Sequence, residues 1–193
     1  MTSSPPAAVH RNADRQAAAD TRAALAAERA ADRLRVRRHR DGTRTVTLTA
    51  GTAAPHVEVA EMLPRTAHLQ AGDRVRWVTR TRADIHTVTF PRGTEQAEAL
   101  PAVCESRAGD VPAGPPPPCA GDPSRLELHF DPQPVGPGIV PSPGTVASSG
   151  ILGPRGGSSG LPSRYALGFP NRGTFSYFCH IHEHGMVGSL IVG

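Results

Sequence analysis

The sequence contains no lysine, few aromatic residues and no long apolar run. All 21 basic residues of the 193-residue chain are arginine, and Phe, Tyr and Trp together make up 4% of it. Nucleic-acid-binding faces combine clustered basic residues with interleaved aromatics, and no such cluster stands out in a chain of net charge +4. A transmembrane helix needs about 20 consecutive apolar residues. We therefore expect neither a nucleic-acid partner nor a transmembrane segment.

Glycine and proline, by contrast, are abundant, with 20 residues each. Such a chain must be rich in turns and loops, and an apolar share of 38% allows one modest β core. Alternating apolar and polar residues predict strands at 45–49, 56–60 and 165–169. Prolines and glycines crowd residues 91–163, where we expect a long insertion with one strand at 125–130.

Residues 1–42 differ in composition from the rest and are predicted to form an N-terminal helical extension or linker. The segment Val9–Arg38 is rich in Ala, Arg, Asp and Glu and lacks Gly and Pro, which favours one helix. Its apolar stripe is thin, with Leu25 and Leu34 as its large members, so the helix should be mostly solvated. A coiled coil, or docking of this helix onto a partner, is the alternative. The basic run Arg35–Arg40 would end the helix, where positive charge complements the helix dipole.

The end of the chain holds its most informative pattern. Residues 173–179 alternate as a strand, and Val187–Val192 form a second, β-branched-rich strand after a glycine-containing loop. The loop brings together a thiol, an imidazole and a thioether at Cys179, His182 and Met186. These are ligands of a copper ion that changes between two oxidation states, and one further imidazole would complete the set.

That imidazole is expected from a segment in the first half of the domain. A Gly72-Asp73 turn leads into a strand containing Trp77, which we expect in the core, and residues 84–90 form the next predicted strand with His86 near its start. Together, "AGDRVRWV…HTVTF" and "GTFSYFCHIHEHGMVGSLIV" resemble the blue-copper cupredoxins of the plastocyanin and azurin group. The resemblance covers about residues 44–193.

The resemblance implies an all-β fold, a Greek-key β-sandwich over residues 43–193 preceded by the helix. It also implies one type 1 copper ion per chain, bound by His86, Cys179, His182 and Met186. His184 is a rival for the second imidazole, although only Gly185 would then separate it from Met186. A surface turn that merely contains three histidines is the plain alternative.

The implied function is electron transfer to a redox partner protein, without catalysis. The implied point of electron entry and exit is the ring edge of His182, with apolar surface around it from Gly185, Val187 and the segment Met62–Pro64. A rival function is the domain through which electrons enter a larger copper enzyme of the nitrite reductase or multicopper oxidase type. His180 keeps that rival open, because a histidine beside the copper cysteine reaches a second centre in such enzymes. Copper storage is a weaker third reading, since the chain has three methionines.

The resemblance further implies a place outside the cytoplasm, whether periplasmic, cell-surface or secreted. The first residues have no apolar signal-peptide segment, so a signal, or another domain, is then expected upstream; a cytoplasmic protein is the alternative. In an oxidising compartment, Cys104 and Cys119 would form a disulfide worth about 3 kcal/mol. Two unrelated thiols are the other reading.

Overall fold

The computed structural model describes residues 6–98, 103–105, 128–130, 134–157, 160–182 and 185–193. For 6–8, 98, 103–105 and 128–130 it describes the backbone alone. The helices are α1 (Pro6–Ala31) and α2 (Glu95–Glu98). The strands are β1 (Arg35–Arg38), β2 (Arg44–Ala54), β3 (Val57–Leu63), β4 (Thr66–Leu69), β5 (Asp73–Arg80), β6 (Thr89–Phe90), β7 (Val103–Glu105), β8 (Leu128–Phe130), β9 (Ala147–Ser148), β10 (Arg164–Phe169), β11 (Gly173–Phe178) and β12 (Val187–Val192).

Two five-stranded sheets form the body of the protein. The first has the order β1-β2-β5-β10, with β3 also paired to β2, and the second has the order β4-β12-β11-β6-β9. The pairs β2–β5 and β4–β12 are parallel, whereas the other pairs within these sheets are antiparallel. The two mixed sheets, which follow an N-terminal helix in the chain, confirm the predicted all-β sandwich class.

The few aromatic residues are concentrated in the core between the sheets. Alternation along β5 and β11 turns Trp77 and Tyr177 inward, and both are fully buried. Their ring centroids lie 5.4 Å apart in an edge-to-face arrangement, and Phe90 lies 5.7 Å from Trp77. Such pairs stabilise beyond the burial of apolar area alone. Trp77 is therefore a core residue, as expected.

The N-terminal helix is shorter than predicted. It ends at Ala31, and Arg35–Arg38 form a strand that pairs antiparallel with the start of β2. A free strand edge offers backbone hydrogen bonds that outweigh modest helix propensity, and Leu34 is exposed rather than part of a helical stripe. Toward its end α1 contacts β2 and β3, with Ala31 buried.

The segment that carries His86 and the long insertion also differ from the prediction. Only Thr89–Phe90 of the predicted strand 84–90 is regular, because His86 makes an isolated antiparallel bridge with Leu152 instead. The later part of the insertion belongs to the core, where Val140 and Leu152 are fully buried. Of the predicted strand 125–130, Leu128–Phe130 pairs with Val103–Glu105.

Part of the insertion lies outside the described residues. This holds for residues 125–127 of the predicted strand, for Cys119 and for the side chain of Cys104. The disulfide between the two cysteines therefore stays a prediction. Among the residues that are described, no helix has the length and apolar character needed to cross a membrane.

A buried ion pair joins the starts of β2 and β5. Asp73 is almost fully buried, and both of its oxygens accept hydrogen bonds from the Arg44 guanidinium, with Nε to Oδ1 at 2.8 Å. The backbone N–H of Gln70 also donates to Asp73 at 2.8 Å. Burial by itself would raise the pKa of Asp73, but these hydrogen bonds and the Arg44 charge outweigh it and lower the pKa.

Candidate metal centre

Three of the predicted ligands meet at one end of the sandwich. The ligand atoms of His86, Cys179 and His182 all lie within 4.8 Å of one another. A nitrogen about 2.0 Å and a sulfur about 2.3 Å from one ion can lie at most about 4.3 Å apart. The distance from Cys179 Sγ to His182 Nδ1 is 3.7 Å, inside that limit. The group is therefore close to the spacing that one metal ion requires.

His86 is a buried imidazole without hydrogen bonds. Its side chain is 0% exposed, and neither ring nitrogen has a hydrogen-bond partner among the described residues. Burial lowers its pKa to about 4; Asp84 opposes this shift and His182 adds to it. The ring is therefore neutral at pH 7, which is the form that binds metals. Buried polar nitrogens are rarely left unpaired, so this histidine fits a metal ligand better than a core residue.

Space for the His86 ring comes from Gly51. The pairing of β2 with both β3 and β5 shifts register around this glycine, whose φ is +76°. A Cβ built on Gly51 would lie 2.0 Å from His86 Nε2. Sequence reasoning missed Gly51, although a glycine inside an alternating strand pattern is the signal for a bulge or a close approach.

Cys179 extends β11 into the same buried pocket. Its sulfur is shielded from solvent and accepts a hydrogen bond from the backbone N–H of Thr87 at 3.3 Å. The Thr87 hydroxyl accepts one from the N–H of His180 at 2.8 Å, which ties the two segments together. Burial raises the pKa of Cys179, although hydrogen bonds to its sulfur, that from the Thr87 backbone first among them, work in the opposite direction. A nearby positive charge such as a metal ion would favour the thiolate.

His182 has its ring between the cluster and a carboxylate. Its Nδ1 faces Cys179, whereas Nε2 lies 3.4 Å from Asp84 Oδ2. The same carboxylate oxygen is 3.9 Å from His86 Nε2. Metal-binding histidines commonly direct their second nitrogen toward a carboxylate, which orients the ring. Sequence reasoning gave Asp84 no role, although an acidic residue two positions before a candidate ligand was a usable signal.

Backbone hydrogen bonds close the loop that carries these ligands. Cys179 N–H donates to the carbonyl of Met186 at 3.0 Å, which extends the β11–β12 ladder by one rung. The N–H groups of Gly185 and Met186 both donate to the carbonyl of His182 at 3.1 Å. The Met186 side chain is fully buried in the same core cluster as Cys179. The loop thus keeps its thiol and imidazole in place by main-chain contacts.

The remaining sequence candidates are placed elsewhere. His180 packs on Phe178 with ring centroids 4.7 Å apart, and its Nε2 lies 2.7 Å from the carbonyl oxygen of Ala97. His184 lies outside the described residues, so the alternative that it replaces His182 as the second imidazole ligand stays a prediction. Met62 and Leu63 are buried in the core, so the expectation that they form apolar surface around His182 is wrong. Met62 belongs to the core cluster between the sheets, and Leu63, the next residue of β3, is buried on the other face of the strand.

No protein-family model and no curated protein matches this sequence. Among solved structures, 88 chains match. Oxidised plastocyanin from Dryopteris crassirhizoma is 18% identical, the match covers 76% of this chain and 99% of that one, and the TM-score is 0.39. For amicyanin from Paracoccus versutus the identity is 16%, the coverage 76% and 79%, and the TM-score 0.36. Both are cupredoxins, the family that the sequence motifs resemble.

Proposed function

We propose that this chain binds one copper ion through His86, Cys179 and His182, with Met186 as a weak axial ligand, and transfers electrons. The cluster of a buried thiol and two imidazoles, one of them without a hydrogen-bond partner in the described part of the chain, is the observation that supports the proposal. A thiolate, two imidazoles and a thioether form the donor set of blue-copper electron-transfer sites. When bound, copper supplies a one-electron redox couple.

The protein itself fixes the positions of the donor atoms and shields them from water. Cys179 and His86 are buried, Thr87 N–H is directed at the sulfur, and Gly51 leaves room for one position of the His86 ring. Hydrogen bonds and apolar surroundings at the cysteine sulfur tune the redox potential of such sites. A fixed donor arrangement also reduces the rearrangement that accompanies a change of oxidation state.

Exposure separates one proposed ligand from the other three. The His182 side chain is 29% exposed, whereas His86, Cys179 and Met186 are fully buried. The ring edge of His182 is therefore the proposed point of electron entry and exit. We expect a redox partner protein to dock at this end, and the net charge of +4 would favour an acidic one.

The proposal extends to the location of the protein. A carrier of this type is expected outside the cytoplasm, in the periplasm, on the cell surface or in the medium. The predicted Cys104–Cys119 disulfide belongs to the same proposal, because it needs an oxidising compartment. Mass spectrometry of the native chain tests it: two free thiols in material from such a compartment would contradict the pairing.

The rival function is the domain through which electrons enter a larger copper enzyme. Such an enzyme would need His180, or its neighbours, to reach a second metal centre. The contact of His180 Nε2 with the Ala97 carbonyl does not favour that role. Among the residues that the structure describes, His86, Cys179 and His182 form one group of potential ligands. We therefore propose a carrier and not an enzyme.

Visible and EPR spectra of the copper-loaded full-length chain, together with its metal content, test this proposal. We expect one copper per chain, an intense absorption band in the red and a narrow copper hyperfine splitting, because the thiolate donates strongly to the metal. A zinc-loaded sample is the colourless control. Two or more coppers per chain, with nitrite or phenol turnover that disappears in His180→Ala, would favour the enzyme instead.

A further inference from the structure

A second concave feature lies on the first sheet, away from the metal centre. Its volume is about 590 Å³, and six of the 21 arginines of the chain line it. They are Arg35, Arg37, Arg76, Arg80, Arg155 and Arg164. We call this feature the arginine groove. None of the proposed copper ligands, and neither Asp84 nor Gly51, lines it.

Strand register brings these arginines together. Arg35 of β1 is opposite Thr47 of β2, and Thr47 is opposite Arg76 of β5, so the three stand in one cross-strand row. Arg80 lies four residues after Arg76 in β5 and therefore on the same face. Arg164 of β10 is opposite Val78 of β5. The inner residues of the same strands, such as Trp77, are buried in the core. The groove therefore lies on the face of the first sheet that is turned away from the core.

The positive charge of the groove is not neutralised by the described part of the chain. No acidic residue lines it, and the arginine ion pairs found among the described residues are Arg44–Asp73 and Arg65–Glu61, both outside it. The Nε of Arg76 is buried and has no hydrogen-bond partner among those residues, while its Nη2 donates to Thr47 at 3.2 Å. Burial, and then the charge of Arg35, lower the pKa of Arg80. An anion bound in the groove would reduce the repulsion between these neighbouring positive charges.

The lining also indicates which kind of anion fits. Guanidinium groups bind phosphate and carboxylate oxygens through paired hydrogen bonds. No aromatic side chain of the described residues lines the groove, so its lining offers phosphate oxygens many donors but a nucleobase only the planes of guanidinium groups. A protein partner would use about 20–30 residues on each side, whereas eleven residues line the groove. Its volume lies in the range of small-molecule sites, about 300–1,000 Å³.

We propose that the arginine groove binds a small anion carrying several phosphate groups. Recognition comes from guanidinium groups of three strands and one loop that converge on closely spaced phosphates, and it does not require copper. The proposal stands on the register, charge and shape of the sheet face. It is therefore independent of the function proposed for the metal centre.

Calorimetric titration of the copper-loaded full-length chain with inorganic triphosphate tests the proposal. We expect saturable binding of one triphosphate per chain that weakens as ionic strength rises. Arg76→Gln should lower the affinity about tenfold, the effect of losing one charge-assisted hydrogen-bonded contact. Arg155→Gln should also lower it, and because Arg155 lies outside the strands, this variant does not depend on the sheet tolerating a change.

The matched control is Arg172→Gln, which removes one exposed arginine outside the groove and should bind triphosphate like the unchanged chain. ATP carries the same three phosphates and should compete with triphosphate for the groove. Absence of saturable binding, or an equal loss in Arg172→Gln, would overturn the proposal. Tighter binding of a hexa-aspartate peptide than of triphosphate would overturn it too, in favour of an acidic protein partner.

Discussion

The metal centre and the arginine groove are built in opposite ways. Three of the four proposed copper ligands lie in one loop between Cys179 and Met186, and they are neutral or soft donors largely withdrawn from solvent. The groove draws charged side chains from β1, β5, β10 and a loop, and it is open to solvent. The proposed metal centre has a small number of ligand atoms shielded from water, and most of them are positioned by one loop. The arginine groove depends instead on the pairing of strands that are distant in sequence.

The two sites also differ in the charged groups that lie near them. Among the described residues, Asp84 places a carboxylate 3.4 Å from His182 Nε2, whereas none of the acidic residues described lines the groove. A metal ion would supply the missing positive charge in the first site, and an anion the missing negative charge in the second. Variants of one site should therefore leave the other site unchanged.

The largest expected effect is the loss of colour in Cys179→Ser. A hydroxyl is a hard, weakly acidic donor and does not replace a thiolate on this metal, so the red absorption band of the copper-loaded chain should vanish. Triphosphate titration of the same variant should be unaltered, which sharpens the separation of the two sites. Cys104→Ser is the matched control and should keep the band. Full colour in Cys179→Ser would show that the sulfur is not a ligand.

Next in size is the effect of Gly51→Ala on copper affinity. The added methyl would collide with the His86 ring, and disturbing the residues around metal ligands lowers affinity about 10–100-fold. Competition with a chromophoric copper chelator measures this change. Gly42→Ala is the control, because Gly42 also has a positive φ of 84° but nothing within 4 Å of its Cβ position. Similar copper affinities in the two variants would remove Gly51 from the site.

Arg44 and Arg76 provide a test of paired against unpaired arginines. Arg44→Gln leaves the buried Asp73 carboxylate without its main partner, and breaking such a pair lowers the free energy of unfolding by about 3 kcal/mol. Arg76 has no acidic partner among the residues that the structure describes, so Arg76→Gln should change that free energy by less than about 1 kcal/mol. Urea unfolding of both variants at neutral pH measures the difference. Equal losses would mean that Arg76 stabilises the fold and is not held for a ligand.

The same ion pair predicts a pH dependence of stability. The pKa of Asp73 in the folded chain lies below its ordinary value of 3.8, so the folded state favours the carboxylate. Its contribution to stability is complete above that ordinary value and is lost as the pH falls through the lower folded pKa. We expect the stability advantage of the unchanged chain over Asp73→Asn to shrink below about pH 4 in urea unfolding. An advantage that is constant with pH would contradict the ionised pair.

The smallest expected effect is that of Met186→Leu. A thioether at long range is a weak ligand, so this variant should keep its copper and its colour. Its reduction potential should rise, because the thioether helps to stabilise the oxidised ion. Protein-film voltammetry measures the shift, with the unchanged chain as reference. An unchanged potential would indicate that His184 or a backbone oxygen occupies the axial position.

Some of the architecture could be read from the sequence because it is local. Alternation along 173–179 and 187–192 predicted a hairpin, and the register Phe178↔Val187 places Cys179 and Met186 at its end. The helix end was misread because the choice between helix and strand at Arg35–Arg38 depends on an edge of β2 that the segment itself does not reveal. The irregular path near His86 arises in the same way, from its bridge to Leu152.

By itself, the sequence determined the donor types and their close spacing, since a thiol, an imidazole and a thioether within one short loop cannot move far apart. Only the tertiary structure decided that His86 comes within reach of Cys179, that Gly51 makes room for its ring and that Asp84 lies beside His182. It also decided that six scattered arginines share one groove. Contacts between residues tens of positions apart depend on which strands pair and in which register, and that choice is made by burying one common core.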